Sequence, residues 1–564
     1  MFSLIEGVYR LKKQFVLQTA SYPTEESNIN PLSIDLEPTP NYMSISVVII
    51  ENKDSSSFSL RPLLLDKPAP IQQISSLDQI NKSISSKDIN NEKSEKHSFK
   101  QENVHEDFPS QDLSCESTVV EQNIFSTLDN INNTEKPLPN LPYIQKMNAL
   151  KKNKKPKNKA SKTSSSFISQ IALHEDLTKI LTSKTKIIHI FSATNKVFNW
   201  ITMSPQTKEE LLSKIVFTKA HITCHDANQF TCGFDHIDIV FGFSSSDIVW
   251  FDPISTKYTR LNKHGSINSS SVNCIKWIPG SKSLFMAAHD DGALIIYHKE
   301  KEKCNFVKND NPENISCSTK FKVLKSLLDP ENKKCNPVSY WQLFKQSPTS
   351  FSFSPVSCHV AVVFSDGTLK IIDYKNENYR LLDIYHSWFG GLICVCWSQN
   401  GQYILTGGED DLVTIWSFSD KTIIARCKGH HSWVTGVAFD PWKCNEGHYR
   451  FGSIGADCQL LLWDFNINTL NKSKDFDQTE NNFSLEKNNF SSEISSQNHK
   501  TKTNNKNELS IPIDHPLIQY TSVPILSPIM SKVLDDQWLT QLIFCEKYII
   551  VSGKNDHIQI WERP

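Results

Sequence analysis

ILTGGEDDLVTIWSF, residues 404–418, is an apolar run, a turn of Gly and acidic residues, and a second apolar run. Gly and Asp supply the backbone freedom and local hydrogen bonds of tight turns, and β-branched and aromatic residues favour strands. The stretch therefore predicts an antiparallel hairpin. The same grammar recurs in FGSIGADCQLLLWDF (451–465), VVFSDGTLKIIDY (362–374) and MAAHDDGALIIYH (286–298). In each, a turn Asp is followed six positions later by a large apolar residue: Asp410 by Trp416, Asp457 by Trp463, Asp366 by Ile372 and Asp291 by Tyr297. Ser245 with Phe251 and Asn555 with Trp561 keep this frame without the turn Asp.

From Phe251 to Tyr297, Ile372 to Trp416 and Trp416 to Trp463 the steps are 46, 44 and 47 residues, and two longer steps of 75 and 98 hold polar insertions. These are close to the ~40–45 residues of one propeller blade. A weaker repeat, IIHIFSATNKVFNW ending at Trp200, supplies a seventh blade beside the six. A single blade cannot bury both of its faces, whereas radial stacking does, which explains strands as apolar as LICVCW (392–397). The expected fold is all-β, a seven-bladed propeller with a long disordered N-terminal segment and insertions. The last blade, DQWLTQLIFCEKYIIVSGKNDHIQIWERP, needs an outermost strand from elsewhere. Two early segments are available, FSLIEGVYRL and NYMSISVVII, and the sequence does not choose between them.

The remaining residues set the boundaries. Residues 51–140 and 466–510 are rich in Ser, Asn, Lys, Asp and Glu, too polar to offset the entropy of ordering. The expected organisation is an N-terminal segment over 1–50, a disordered linker over 51–163, blades over 164–465, a disordered insertion over 466–515 and the final blade over 516–564. The net charge of −1 argues against a nucleic-acid or membrane-surface protein. No run approaches the ~18 apolar residues of a membrane span, and MFSLIEGVYRLKKQF has no signal-peptide core. The chain reads as soluble, cytoplasmic and also a candidate for the nucleus. The lysine run Lys146–Lys162 is either an import signal or a solvated linker, and it lacks the interleaved aromatics of a nucleic-acid site. The 14 cysteines are scattered, which predicts reduced, inert thiols.

Gly429-His430, Asp457 and Trp463-Asp464 resemble the signature of the WD40 family. That resemblance implies a hydrogen-bonded link between turn and strands inside a blade. His430, Asp457, Trp463, Asp464, Asp410, Trp416, Asp366, Asp291 and Trp561 are thus expected to maintain the fold. His430 and Asp457 have the types of a catalytic dyad but the spacing of this structural link. No GxxxxGK[ST] loop, HExxH or GxSxG is present, and Cys224-His225 and His430-His431 lack the rest of a metal-ligand set. No catalytic residue, metal or cofactor is expected. What remains is surface: Trp388 and Phe389 in one loop between blades, His431 and Trp433 in the next. Phe389 and Trp433 lie 44 residues apart, about one blade period, so they either form a binding hot spot on one face or pack between blades.

A closer resemblance is to the creC-type catabolite-repression proteins of fungi and their animal relatives of the WD-repeat protein twenty type. It rests on FTKAHITCHDAN (217–228), WIPGSKSLFMAAHDDG (277–292), NPVSYWQL (336–343), the run from Phe389 to Phe418, IIARCKGHHSWVTGVAFDPW (423–442), the run from Tyr449 to Phe465, IWERP (560–564) and the early EGVYRL (6–11). It implies a non-enzymatic regulatory subunit that binds and activates a ubiquitin-specific protease of the creB type in carbon catabolite repression, with room for a second WD-repeat partner. Phe389 and Trp433 fall in the matching FGG and SWV motifs, which favours the binding reading. A scaffold that localises a protease or recruits substrates without activating it is the competing expectation.

Overall fold

In the computed structural model the turn-linked hairpins become seven antiparallel sheets. The structure describes residues 1–17, 43–50, 158–162, 167–181, 187–203, 210–301 save 219, 321–325, 335–466 save 344–345, 375–378 and 446, and 512–564 save 555–556. The sheets' innermost strands are Met43–Ile50, Ile222–Ala227, Val272–Trp277, Pro348–Phe353, Leu392–Trp397, Val434–Phe439 and Leu539–Phe544. Each lies against the next, and the last lies against the first, so the ring closes as a seven-bladed propeller. Numbered in that order, the blades bury apolar residues mainly at their junctions. Tyr403, Leu405 and Ile415 of the fifth blade share one cluster with Phe439, Phe451 and Trp463 of the sixth. Small residues make the close approach possible. A Cβ on Gly407 would lie 2.5 Å from Val434 Cγ1, and one on Gly242 would lie 2.5 Å from Val272 Cγ1, each time the first residue of the next blade's innermost strand.

Both early segments enter the ring, where the sequence offered them as alternatives. Gly7–Val16 pairs with His557–Glu562 and is the fourth strand of the seventh blade, with Phe2–Leu4 folded back on it. Met43–Ile50 is the innermost strand of the first blade, paired with Ile187–Thr194. Polar clasps fix this closure. Arg450 of the sixth blade holds Asp464 with two 2.6 Å bonds and also reaches Glu6 in the N-terminal hairpin. Arg563 reaches back 2.6 Å to Asp440, a pair almost wholly buried.

The C-terminal stretch does more than build one blade. Residues 512–533 form a strap across three outer edges. Ile513–Asp514 pairs in parallel with the fourth blade's Arg380–His386, and Ile525–Leu526 with the fifth blade's Thr422–Lys428. Met530–Val533 is then the outermost strand of the sixth blade. The span 516–564, expected to be the final blade, thus holds strap and sixth-blade strand before the seventh blade begins at Leu539. Val523 packs into the cluster between the fourth and fifth blades, Leu526 against that between the fifth and sixth, and Met530 into that between the sixth and seventh.

Further differences concern the expected linkers. Asn158–Lys162, the end of the lysine run, pairs as a strand with Ile168–His174 at the outer side of the first blade. Among the described cysteines, Cys224, Cys232, Cys274, Cys394, Cys396, Cys427, Cys444 and Cys458 are free thiols, whereas Cys335 is disulfide-bonded, against the expectation of reduced thiols throughout. The rest of the lysine run, most of 51–163 and 466–510, and Asn555 lie outside the described residues. Among the described residues no helix is long and apolar enough to cross a membrane.

Candidate protein-binding face

The sixth blade shows how its turn is built. Trp463 Nε1 donates to Ser453 Oγ at 2.8 Å, and Ser453 Oγ lies 2.7 Å from His430 Nε2. His430 Nδ1 lies 3.0 Å from Asp457, whose carboxylate also accepts the His431 and Gln459 amides. The chain of bonds places the His430 proton on Nδ1, because Nε2 must accept from the serine. Burial disfavours the Asp457 charge, but the hydrogen bond from His430 and those from the two amides outweigh it and lower its pKa. His430 and Asp457 therefore pin the loop before the sixth blade to the blade's own turn.

Neighbouring blades vary this arrangement. In the fifth, Trp416 Nε1 donates to Thr406 Oγ1 at 2.8 Å. Trp388 stands four residues before Leu392, as His430 stands four before Val434, so Asp410 meets no imidazole there. Burial pushes the Asp410 carboxyl up to about 6 against the Leu412 amide that it accepts. In the third, Asn268 Nδ2 reaches both oxygens of Asp291 at 3.1 and 2.9 Å. In the fourth, Asp366 takes the Thr368 amide and hydroxyl at 3.0 and 2.7 Å. In the second, Asp247 takes over from the turn residue Ser245, which donates to it at 2.8 Å, and also accepts from Arg260 at 2.6 Å. In the seventh, Trp561 Nε1 donates to Gln559 at 3.1 Å.

Strands alternate in direction, so the turns between second and third strands and the loops between blades emerge on one face. The loop entering the fifth blade is rigid. Ser387 N donates to Gly367 O at 2.8 Å, Ser387 Oγ to Gly390 O at 2.8 Å and Gly391 N to Glu409 Oε2 at 2.9 Å. This frame, with Gly390 at φ 64°, holds Phe389 outward, 71% exposed. Trp388 is 41% exposed and Trp433 43%, and His431 is exposed as well. The two aromatics anticipated as equivalents are not in register. Phe389 stands three residues before its strand and aligns with His431, whereas Trp433 stands one before Val434 and aligns with Gly391. A residue that matches Trp433 is Trp538, one before Leu539 of the seventh blade. Its ring lies 6.4 Å from that of Trp433 and carries Lys554 Nζ 5.1 Å above it. Sequence reasoning passed over Trp538; the signal was a Trp directly before an innermost strand in both SWV and QWL.

Residues 381–417 match the model of the WD domain, G-beta repeat. They run from the outermost strand of the fourth blade through the third strand of the fifth, the one-strand offset that makes N-terminal closure necessary. The chain is 36% identical over 412 residues to the UBP9-binding protein bun62 of Schizosaccharomyces pombe, covering 71% of this chain and 75% of that protein. This chain belongs to the bun62 family of WD-repeat proteins. In this bun62-family propeller no group of three or more His, Cys, Asp or Glu side chains is arranged to hold a metal ion among the described residues. His225, next to Cys224 in the second blade's innermost strand, lies 2.6 Å from Ser44 Oγ and is held neutral by burial, its pKa down to about 4. The distinctive chemistry of the face is exposed aromatic area on rigid loops, which suits protein recognition.

Proposed function

We propose that this protein is a non-catalytic regulatory subunit that binds and activates a creB-type ubiquitin-specific protease, acting in carbon catabolite repression. The observation that carries the reading is the exposure of Phe389 and Trp433 on successive loops of one face, in a chain whose relative is named for binding UBP9. Rigid, exposed aromatics lose little entropy on docking and are the usual anchors of interfaces. Trp388 and His431 flank them and belong to the same surface. Activation requires tighter binding to the protease's active arrangement, and a difference of about 1–3 kcal/mol gives roughly 5–150-fold. A second WD-repeat subunit on the same protease is part of this reading.

Titration calorimetry of the protease with the wild type, Phe389→Ala and Trp433→Ala tests the surface. Loss of a hot-spot aromatic costs about 2 kcal/mol or more, so Kd is expected to rise roughly 30-fold for each folded variant. Wild-type affinity in both variants rejects this face as the binding site.

A further inference from the structure

Arg426 is the unusual residue of the fifth blade's outermost strand, Thr422–Lys428: a cation 1% exposed. Its guanidinium donates to two carbonyls of the strap, Ile518 O at 2.9 Å and Gln519 O at 3.1 Å. Its backbone amide donates to a third, Pro524 O at 2.9 Å. The guanidinium carbon lies 5.3 Å from the ring centre of Trp388 and 5.4 Å from that of Tyr520, and the two rings are 5.6 Å apart. One buried charge is therefore solvated by strap carbonyls and shared between a strap aromatic and an aromatic of the candidate binding face. Removing the strap would strip those carbonyls from a cation that has little access to water, and would take away the ring that backs Trp388.

We infer that the strap over residues 513–526 is a positioning element for the binding face: docked against Arg426, it fixes Trp388 and the loop 386–391 that carries Phe389. A second clasp lies at the start of the strap. His515 Nε2 is 2.9 Å from Asp383, and its ring stacks on Tyr385 at 4.4 Å, while His386 Nε2 is 2.8 Å from Asp514. His386 opens the same loop, so the strap grips it at His386 and at Trp388, on either side of Ser387. Linkage is reciprocal: a partner that engages Trp388 and Phe389 favours the docked strap, and a ligand that pulls the strap away weakens the partner. This second step rests on the proposed function; the positioning itself does not.

Hydrogen exchange on the full chain, without any partner, tests the positioning. Tyr520→Ala removes a half-buried side chain from the strap, and Arg426→Gln removes the charge that the strap solvates. Both are expected to speed exchange in residues 386–391 about tenfold, while residues 430–434, held by Asp457, keep the wild-type rate. If Arg426→Gln fails to fold, Tyr520→Ala decides alone. Wild-type exchange at 386–391 in folded Tyr520→Ala overturns the inference, and so does an equal acceleration at 430–434, which would mean general loosening. A change in exchange with unaltered protease affinity upholds the positioning and counts against the proposed face instead.

Discussion

Asp457 and Asp410 occupy the same turn in adjacent blades and shift in opposite directions, because Asp457 accepts from His430 whereas burial outweighs what favours the charge of Asp410. Asp457→Ala leaves the His430 Nδ1–H and the His431 amide without their acceptor. A loss of about 1–3 kcal/mol is expected, read by urea denaturation. Asp410 behaves differently. Its folded pKa is raised from 3.8 to about 6, so between roughly pH 4 and pH 6 the folded state holds a proton that the unfolded chain has released. Its contribution to stability therefore falls as pH rises through that window. Asp410→Asn keeps an acceptor for the Leu412 amide and removes the penalty. The variant should match the wild type near pH 4 and exceed it at pH 7.5. A stability difference that is the same at both pH values contradicts this account. Asp457 carries the other sign: its pKa is lowered, so its stabilisation is complete above the unfolded value of 3.8 and is lost as pH falls through the folded one.

Closure and strapping are what the elements add. Arg450 is shared by Asp464 of its own blade and Glu6 of the N-terminal hairpin, and so ties the sixth blade to that hairpin beside the apolar contacts of Phe2 and Tyr9. Arg450→Ala leaves the partly buried carboxylates of Glu6 and Asp464 without their shared cation. It should cost about 3 kcal/mol, the low end for a broken buried pair because both carboxylates touch solvent. It should also speed exchange in Gly7–Val16, and wild-type exchange there would show that backbone pairing alone holds the strand. The repeating elements were legible in the sequence: Asp410 to Trp416 and Asp457 to Trp463 fix hairpin and period together. Closure was legible only as a need, because GVYRL and SISVV carry the same strand composition and differ in partners that lie hundreds of residues away. The strap was not legible. Ile513–Asp514 and Ile525–Leu526 pair through two residues each, and Pro512, Pro516, Pro524 and Pro528 give the segment the composition of a linker. The exposed loop aromatics were legible as residues but not in their register, since the loops carrying Phe389 and Trp433 place them at different distances from the strand. Trp538 escaped notice for the same reason.

At the scale of the whole molecule, a ring closed by its own N-terminal strands holds hydrogen-bonded loops on one face, and that face is the candidate for partner binding. Phe389, Trp433 and Trp538 sit on three successive inter-blade loops, so a partner that spans the fifth to seventh blades meets all three. Trp538→Ala, half-buried against Trp433, should weaken protease binding less than Trp433→Ala, by severalfold rather than by tens; an effect larger than that of Trp433→Ala would move the centre of the interface to the seventh blade. Binding does not establish activation, because a scaffold would grip the protease through the same surface. The measurement that separates them is ubiquitin cleavage by the creB-type protease, alone, with this protein, and with a folded Phe389→Ala/Trp433→Ala variant. The wild type is expected to raise the turnover rate and the variant is not. A protease that binds the wild type and turns over at its unaided rate contradicts the activator reading and leaves a scaffold.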